Sequence, residues 1–282
     1  MKRIKPLYVF LFVNLLTLVF IVVPYFSNNL LTIDLPGHVM TVNYTKDFLL
    51  PGMQGWNPFQ NLGFPQGSFY PPLMQYVIAI LSSIFISVEV WIKIFFGLTL
   101  LSLPYAIFFF VKKLSSELFE KSNEILLIVV SVLTFLLFVL FPQTFGGSIK
   151  AFTEVGLVYN LFTIPLLFLF LGMVVAIFGS KVKNWYLLLA SLLLASLILS
   201  HLVTGLVAAL VLVLVVIYKV VKNRSLKIQE LYLGIISFLL TSFYLIPYLL
   251  NGRYLTSSRV LPTPFVAGVG GIVATLLGLV VL

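Results

Sequence analysis

Two ionisable side chains stand four residues apart, directly after the first long apolar segment of this 282-residue chain. They are Asp34 and His38, which share a face if a helix runs between them. A carboxylate at a membrane surface can act as a general base when partial burial moves its pKa toward the working pH. His38 can then bind substrate or a metal, or form a hydrogen bond with Asp34. The alternative for Asp34 is structural: the N-cap of a helix that begins at Leu35 or Pro36.

Two further ionisable residues lie far along the chain. Glu154 stands in a Gly-rich segment predicted to fold over the same surface, where it is a candidate second base or metal ligand; a solvated loop charge is the ordinary alternative. His201 is the only His, Asp, Glu, Lys or Arg in the apolar run 185–218. Such residues within membranes are functional or paired. We assign His201 to substrate binding, the alternative being a hydrogen bond that stabilises a helix break.

The composition places these residues in a membrane protein. Hydrophobic residues make up 61% of the chain and charged residues 9%, and the mean hydropathy is +1.16. Several apolar windows exceed the roughly 18 residues that mark a membrane helix, and they lack the alternating polarity of β-barrel strands. We therefore predict an all-α polytopic membrane protein.

Residue counts exclude other classes of protein. No cysteine is present, which rules out thiolate catalysis, disulfides and Cys-ligated metals. The net charge of +9 comes from short basic clusters between apolar runs, where topology rules predict them. No nucleic-acid partner is therefore expected.

The first apolar segment, residues 7–26, is too long for the apolar core of a signal peptide. We predict a retained membrane helix with a cytoplasmic N-terminus, which makes residues 27–90 the first outer loop. Residues 73–87 of that loop are apolar but only about 22 Å long as a helix, against a hydrocarbon core of about 30 Å. They are predicted not to cross, because a crossing would place the later basic clusters outside, against the positive-inside rule.

The remaining apolar runs complete a multi-pass protein of the cell membrane. The run 185–218 would be about 51 Å long as one helix, so we expect it to divide at Ser200-His201. This scheme puts twelve of the seventeen basic residues on the cytoplasmic side. One transmembrane domain covers 1–282, and the apolar last residues lead us to expect a longer protein that continues beyond Leu282. The spans, about eight in all, are residues 7–26, 91–111, 125–141, 158–178, the two halves of 185–218, 231–250 and 266–282.

Short motifs in the first outer loop resemble those of a known group of proteins. They are Asp-x-x-x-His (Asp34, His38), Gly-x-x-Gly-Trp-Asn-Pro (52–58), Gly-Phe-Pro (63–65) and Tyr-Pro-Pro-Leu (70–73), followed later by Ser-His (200–201) and Phe-Tyr-Leu-Ile-Pro (243–247). The pattern resembles the N-terminal half of GT-C class membrane glycosyltransferases. Within that class it is most similar to the 6-pyruvoyl-tetrahydropterin synthase-related membrane proteins.

The resemblance implies transfer of a sugar from a polyprenyl-phosphate donor to a glycan or protein acceptor at the outer face of the lipid bilayer. In that class an Asp of the first outer loop acts as catalytic base or orients the acceptor, often near a divalent cation. The matching residue here is Asp34. The implied cofactor is Mg²⁺ or Mn²⁺, with Asp34 and Glu154 as its candidate ligands.

Basic and aromatic residues of the outer loops are the other candidate substrate contacts. Lys150, Arg253 and Arg259 can clamp a lipid phosphate, for which Arg has a suitable bidentate geometry; interfacial anchoring is the alternative. Trp56 and Tyr70 can stack on a sugar, or belong to an aromatic belt at headgroup level.

Two other functions stay open. A transporter or flippase for lipid-linked glycans would place ionisable residues at the midplane of interrupted helices, whereas here nearly all charge lies at predicted span ends. The second is a catalytically inactive membrane scaffold.

Overall fold

The computed structural model of the chain is built almost entirely from helices. The predicted eighth span, 266–282, lies outside the part of the chain that the structure describes. The described residues are 5–27, 32–50, 52, 54–59, 63–119, 123–140, 149–178, 184–223 and 228–251.

The predicted spans within the described residues are all helical, which confirms an all-α polytopic membrane protein. In chain order the elements are α1 (Pro6–Thr17), a π-helical turn (Leu18–Val22), α2 (Val23–Ser27), α3 (Leu35–Tyr44), a second π-helical turn (Thr45–Leu49), β1 (Gly55–Asn57), β2 (Phe64–Gln66), α4 (Leu73–Ile84), α5 (Val88–Leu118), α6 (Glu124–Leu140), a third π-helical turn (Ala151–Val155), α7 (Val158–Phe178), α8 (Asn184–Ser200), α9 (Leu202–Asn223) and α10 (Ile228–Leu250).

Five helical segments among the described residues are long and apolar enough to cross a membrane: Pro6–Ser27, Val88–Leu118, Val158–Phe178, Leu202–Lys222 and Leu231–Leu250. Helices α6 and α8 are shorter, at 17 residues each, or about 25 Å. Helix α7 is central, because α5 and α8 both pack along it. Polar contacts add to this packing: Asn14 of α1 donates from Nδ2 to the carbonyl of Leu101 in α5, at 3.0 Å.

The end of the bundle that carries residues 32–87 is called the loop end here. The start of α5 lies at this end, because Lys93 Nζ donates to the carbonyl of Phe26, near the end of α2, at 2.9 Å. Helix α4 has 12 residues, about 18 Å, and Tyr76 in its first turn donates to the carbonyl of Gly52 at 2.7 Å. The chain therefore enters and leaves α4 at the loop end, as the sequence predicts for residues 73–87.

Lysine side chains mark the opposite end of the bundle. The ammonium group of Lys113, near the end of α5, lies 5.7 Å from the ring centre of Tyr186 at the start of α8. Lys219 of α9 lies 5.0 Å from the ring centre of Phe178, the last residue of α7. Helix α5 extends to Leu118, seven residues beyond the predicted end at 111.

The chain reverses direction at His201, between α8 and α9, as predicted. A Cβ added to Gly205 would lie 2.5 Å from the Cα of Ile198, whereas residues seven apart in one continuous helix are separated by about 10 Å. The contact therefore requires a turn. It places His201 at the loop end.

The described part of the first outer loop contains a β-hairpin that the sequence did not predict, besides the helices α3 and α4. Strands β1 and β2 pair antiparallel, and Gln66 ties this hairpin to α3. Its Nε2 donates to the carbonyl of Thr41 at 2.7 Å and to Oγ1 of Thr45 at 2.6 Å, while its Oε1 accepts from Asn57 at 2.7 Å. Gln66 and Asn57 are fully buried. Buried amides of this kind are indistinguishable by composition from the exposed amides of a loop.

Candidate functional site

Asp34 lies at the loop end, immediately before α3. Its backbone N–H donates to the carbonyl of Val155 at 2.8 Å, in the turn that precedes α7. Gly156 permits this contact: its φ is +92°, and a Cβ there would lie 2.5 Å from Oγ1 of Thr32 and 2.8 Å from the backbone N of Leu35. The start of α3 and the turn before α7 thus meet through backbone atoms.

Two expectations for Asp34 are corrected by the structure. It occupies the N-cap position of α3, but its side chain makes no capping bond, because its backbone is helical (φ −96°, ψ −18°) rather than extended. Oγ1 of Thr32 accepts from the N–H of Leu35 instead, at 3.3 Å. The Asp34 side chain is also exposed rather than partly buried, since the turn into α3 directs the neighbouring Leu35 into the core.

His38 lies one turn further along α3, against two tyrosines. The centres of the His38 and Tyr159 rings are 4.6 Å apart in an edge-to-face arrangement, and those of His38 and Tyr70 are 6.0 Å apart. Tyr159 is 1% exposed, whereas Tyr70 is 38% exposed. The backbone N–H of His38 donates to the carbonyl of Asp34 at 3.1 Å, but among the described residues no hydrogen bond joins their side chains, so that alternative for His38 is not observed.

His201 approaches the same place from the turn between α8 and α9. Its Nδ1 lies 2.8 Å from Oγ1 of Thr204, and Thr204 Oγ1 is 3.4 Å from Oδ1 of Asn160. Asn160 follows Tyr159 at the start of α7, which connects His201 to His38 through adjacent side chains. The loop-end cluster is defined as His38, Tyr70, Tyr159, Asn160, His201 and Thr204.

Electrostatic effects follow from these proximities. Burial, with a smaller contribution from repulsion by a protonated His201, lowers the pKa of His38 to about 4. Burial raises the pKa of Tyr70 to about 12, with an additional contribution from the negative charge of Asp34. His38 is therefore uncharged at neutral pH, and Asp34 borders the cluster on the side of Tyr70.

A cleft of about 580 Å³ separates the other face of α3 from the start of α5. Its wall is mostly apolar on the side of α3, apart from Asn43, and carries Glu89 and Lys93 on the side of α5. Helix α3 therefore lies between a mostly apolar cleft and a polar cluster. Asp34 does not line the cleft, but it precedes Leu35, which does, and its charge acts on Tyr70 of the cluster. The cleft is lined by Leu35, Pro36, Val39, Met40, Asn43, Glu89 and Lys93.

Glu154 and Lys150 lie on the turn that contacts Asp34 through its backbone. Their charged groups are 3.7 Å apart, and the side chains are 56% and 41% exposed. A surface pair of this kind contributes about 0–1 kcal/mol to stability. Glu154 is thus close in sequence to the Asp34 contact, but its charge is engaged at the surface.

Trp56, another predicted substrate contact, lies apart from the cluster. Trp56 is 61% exposed on the hairpin, and its carbonyl accepts from the hydroxyl of Tyr44 at 2.6 Å. Tyr44 ends α3, so Trp56 and Asp34 lie at opposite ends of a helix that is roughly 15 Å long. Arg253 and Arg259 fall outside the described residues.

The described residues around Asp34 do not provide a full set of ligands for a divalent cation. Within the described part of the chain, no three His, Asp or Glu side chains come together as a metal site. Asp34 and Glu154 are both exposed, and Glu154 is paired with Lys150. These residues alone do not make a complete metal-binding site, and the reaction proposed below contains no step on a metal.

The sequence analysis missed the contribution of α7 to the cluster. Tyr159 and Asn160 open the predicted span 158–178, and Thr204 follows the predicted break. A Tyr-Asn pair at the boundary of an apolar run is a weak signal of a site. It becomes meaningful only when His38 and His201, from distant parts of the chain, are placed beside it.

Comparisons with known proteins bear on the class of this molecule. Neither the curated proteins nor the solved structures include a match to the chain. A family model described as the 6-pyruvoyl-tetrahydropterin synthase related domain, of a membrane protein, matches residues 68–263. The matched region contains Tyr70, Tyr159, Asn160, His201 and Thr204. The chain therefore belongs to the family of 6-pyruvoyl-tetrahydropterin synthase-related membrane proteins.

Proposed function

We propose that the protein is a GT-C type membrane glycosyltransferase that moves a sugar from a polyprenyl-phosphate-linked donor to a glycan or protein acceptor. Asp34 is its catalytic base, or the residue that orients the acceptor. The observation that carries this proposal is the position of Asp34: an exposed carboxylate at the loop end, next to Leu35 of the cleft and close enough to Tyr70 of the cluster for its charge to act on that residue.

The proposed reaction needs one proton acceptor at the point where a hydroxyl attacks. The acceptor oxygen forms a bond to the anomeric carbon of the donor sugar, and the bond from that carbon to the phosphate oxygen breaks. The polyprenyl phosphate leaves with the bonding electrons, and the Asp34 carboxylate takes the hydroxyl proton. A positioned base of this kind contributes about 10²–10⁴-fold to the rate.

The surroundings of Asp34 suit an amphipathic donor. A lipid-linked sugar has an apolar chain and a polar head, and α3 presents an apolar cleft on one face and the loop-end cluster on the other. Tyr70 adjoins both Asp34 and His38, so a ligand that touches this ring comes close to the carboxylate.

The position of charges favours transfer at an interface over transport. Within the described spans, Asp, Glu, Lys and Arg residues lie within about two helical turns of a helix end. A flippase for lipid-linked glycans would carry them near the midplane. The lysines of the end opposite the loop end favour a cytoplasmic location for that end, which makes the loop end extracytoplasmic in the cell membrane and the N-terminus cytoplasmic.

The divalent cation that the resemblance implies stays a prediction. Asp34 and Glu154 are its candidate ligands from this chain. Loss of sugar transfer on chelation, reversed by Mg²⁺ or Mn²⁺, would support a requirement for the cation. Full transfer in the presence of a chelator would contradict it.

The proposal can be tested in membranes of cells that produce the protein. Asp34→Asn should leave the amount of inserted protein unchanged while polyprenyl-phosphate-linked sugar accumulates, because the base is lost. Asp47→Asn is the matched control, since Asp47 is an exposed carboxylate of the same outer loop. Equal levels of lipid-linked sugar with Asp34→Asn and with the unaltered protein would refute the assignment.

A further inference from the structure

The loop-end cluster contains a buried hydroxyl whose hydrogen-bonding capacity is not filled. The Tyr159 hydroxyl forms no well-aligned hydrogen bond within the described residues, although Tyr159 is only 1% exposed. Its polar neighbour is the hydroxyl of Thr41, which donates to the carbonyl of His38 at 2.9 Å and retains only acceptor capacity toward Tyr159. The adjoining Ser200 is also 1% exposed, with an unpartnered Oγ. Buried polar groups in folded proteins nearly always have partners.

The groups of the cluster are uncharged and of mixed donor and acceptor character. Tyr159 and Tyr70 carry hydroxyls, and Asn160 carries an amide. His38 offers ring nitrogens that make no hydrogen bond within the described residues, and it is neutral at pH 7 because its pKa is about 4. The hydrogen bonds seen in the cluster join uncharged groups, namely Thr204 with His201 and with Asn160.

This chemistry selects a particular class of ligand. An anion such as a phosphate is best held by cationic side chains or helix N-termini. A sugar ring carries several neutral hydroxyls, each of which both donates and accepts, and it has apolar faces that can lie on aromatic rings. The exposed ring of Tyr70 beside the half-buried His38 provides such a surface.

We propose that the loop-end cluster is the subsite for the sugar ring, with Tyr159, Asn160 and His38 as direct hydrogen-bonding residues and Tyr70 as the stacking surface. This inference rests on the proposed function, because it names where the transferred or receiving sugar lies relative to Asp34. The lipid phosphate lies outside the cluster. Thr204 is a positioning residue, which fixes His201 through Nδ1.

The two histidines give a direct spectroscopic readout, because the chain contains no others. Protein labelled with ¹⁵N-histidine and reconstituted in nanodiscs would be titrated with octyl glycosides of glucose, galactose, mannose and N-acetylglucosamine. We expect at least one glycoside to shift the side-chain signals of His38 and His201. Octyl phosphate is the probe for the competing anion. The subsite would be overturned if no glycoside shifts these signals, or if octyl phosphate shifts them at equal or lower concentration.

A phosphate-linked probe distinguishes the two sources of the sugar. Octyl-phosphoryl derivatives of the same four sugars resemble the donor, whereas the plain glycosides resemble an acceptor. If the phosphoryl sugar reaches half-saturation at a lower concentration than the plain glycoside does, the cluster binds the donor sugar. The reverse order assigns it to the acceptor, and either order supports a sugar subsite.

Removal of the unpartnered hydroxyl tests the proposed contact. Tyr159→Phe should raise the half-saturating concentration about tenfold, the equivalent of one hydrogen bond. Tyr25→Phe is the matched control, because Tyr25 is also buried with an unpartnered hydroxyl but packs against Phe96 and Phe152, outside the cluster. An unchanged titration with Tyr159→Phe, or equal weakening with Tyr25→Phe, would contradict the assignment.

The subsite and the proposed function can fail separately. If Asp34→Asn abolishes transfer but no glycoside shifts the histidine signals, the subsite is wrong and the catalytic role of Asp34 stands. If the glycosides bind but Asp34→Asn transfers sugar normally, the subsite stands and the catalytic role is wrong.

Discussion

Gly156 sets how closely the turn before α7 approaches Asp34. Its φ of +92° lies in the left-handed region, and a Cβ would meet Thr32 and the backbone of Leu35 at less than 3 Å. Gly156→Ala should therefore destabilise the protein by about 1–3 kcal/mol and reduce transfer, because the Asp34 backbone loses its contact with Val155. Thermal unfolding of the purified protein and a transfer assay would measure the two effects.

Gly234→Ala provides the control for that substitution. Gly234 lies within α10, and a Cβ there would meet nothing within 4 Å. Because alanine is the better helix former, stability should be unchanged or slightly higher. Equal losses for both variants would show that Gly156 has no special role.

The protonation of His38 should make stability depend on pH. In the unfolded chain a histidine has a pKa of about 6.5, and in the folded protein burial lowers that of His38 to about 4. Between these values the unfolded state binds more protons, so the free energy of unfolding rises with pH. The stabilisation is complete above about pH 6.5 and is lost as the pH falls toward about 4. Burial also lowers the pKa of His201 to about 4, so both histidines contribute. Melting temperatures across this range should fall with acid, and His38→Gln should make the curve shallower while the contribution of His201 remains; an equally steep curve for the variant would contradict this assignment.

Several site residues could be recognised from the sequence because their types are rare in so apolar a chain. Asp34, His38 and His201 were predicted this way, and the structure brings them to one end of the bundle. Tyr159 and Asn160 could not, because tyrosine and asparagine are ordinary at a span boundary and their neighbours in the cluster are distant in the sequence: His38 lies 121 residues before Tyr159, and Thr204 lies 44 residues after Asn160. Which way Asp34 faces depends on the turn into α3, and that turn is set by the tertiary contact at Gly156.

At the scale of elements, Gln66 holds the hairpin against α3. Gln66→Leu keeps the volume but leaves the buried Nδ2 of Asn57 without its acceptor, whereas Thr45 keeps its hydrogen bond to the carbonyl of Thr41. The expected cost is about 1–3 kcal/mol for each group left unsatisfied. Limited proteolysis of the first outer loop should become faster. Gln54→Leu is the control, because Gln54 is exposed. If the Gln66 variant were cleaved no faster than the Gln54 variant, the hydrogen bonds of Gln66 would add little to the stability of the hairpin.

The placement of α4 predicts a labelling pattern that is easy to read in a cysteine-free chain. Cysteines at Gln54 and Ser87, before and after α4, should react with an impermeant maleimide from the same side of the membrane. A cysteine at Ser116, near the end of α5, should react only from the other side. Opposite sidedness for Gln54 and Ser87 would show that α4 crosses.

The helices were predictable because apolar length and the positive-inside rule act locally and are readable without tertiary contacts. This reasoning located the break at His201 and predicted that residues 73–87 do not cross the membrane. The hairpin was not predictable in the same way. Its stability depends on Gln66 and Asn57 being buried, which is a property of the fold around them.

At the scale of the whole molecule, the bundle has two chemically different ends. The loop end carries Asp34, the cleft and the loop-end cluster, while the opposite end carries lysines such as Lys113 and Lys219 against aromatic rings. Helix α7 connects the two ends, since its first turn carries Tyr159 of the cluster and its last residue, Phe178, lies under Lys219. The residues of the proposed site thus lie at one end of the bundle.

The most direct measurement is sugar transfer by the purified protein in liposomes, from a synthetic short-chain polyprenyl-phosphate donor carrying a labelled sugar. We expect Asp34→Asn to slow the release of polyprenyl phosphate by about 10²–10⁴-fold, and Asp47→Asn to stay within about threefold of the unaltered protein. Transfer by the Asp34 variant at the unaltered rate would contradict the central claim that this carboxylate carries the reaction.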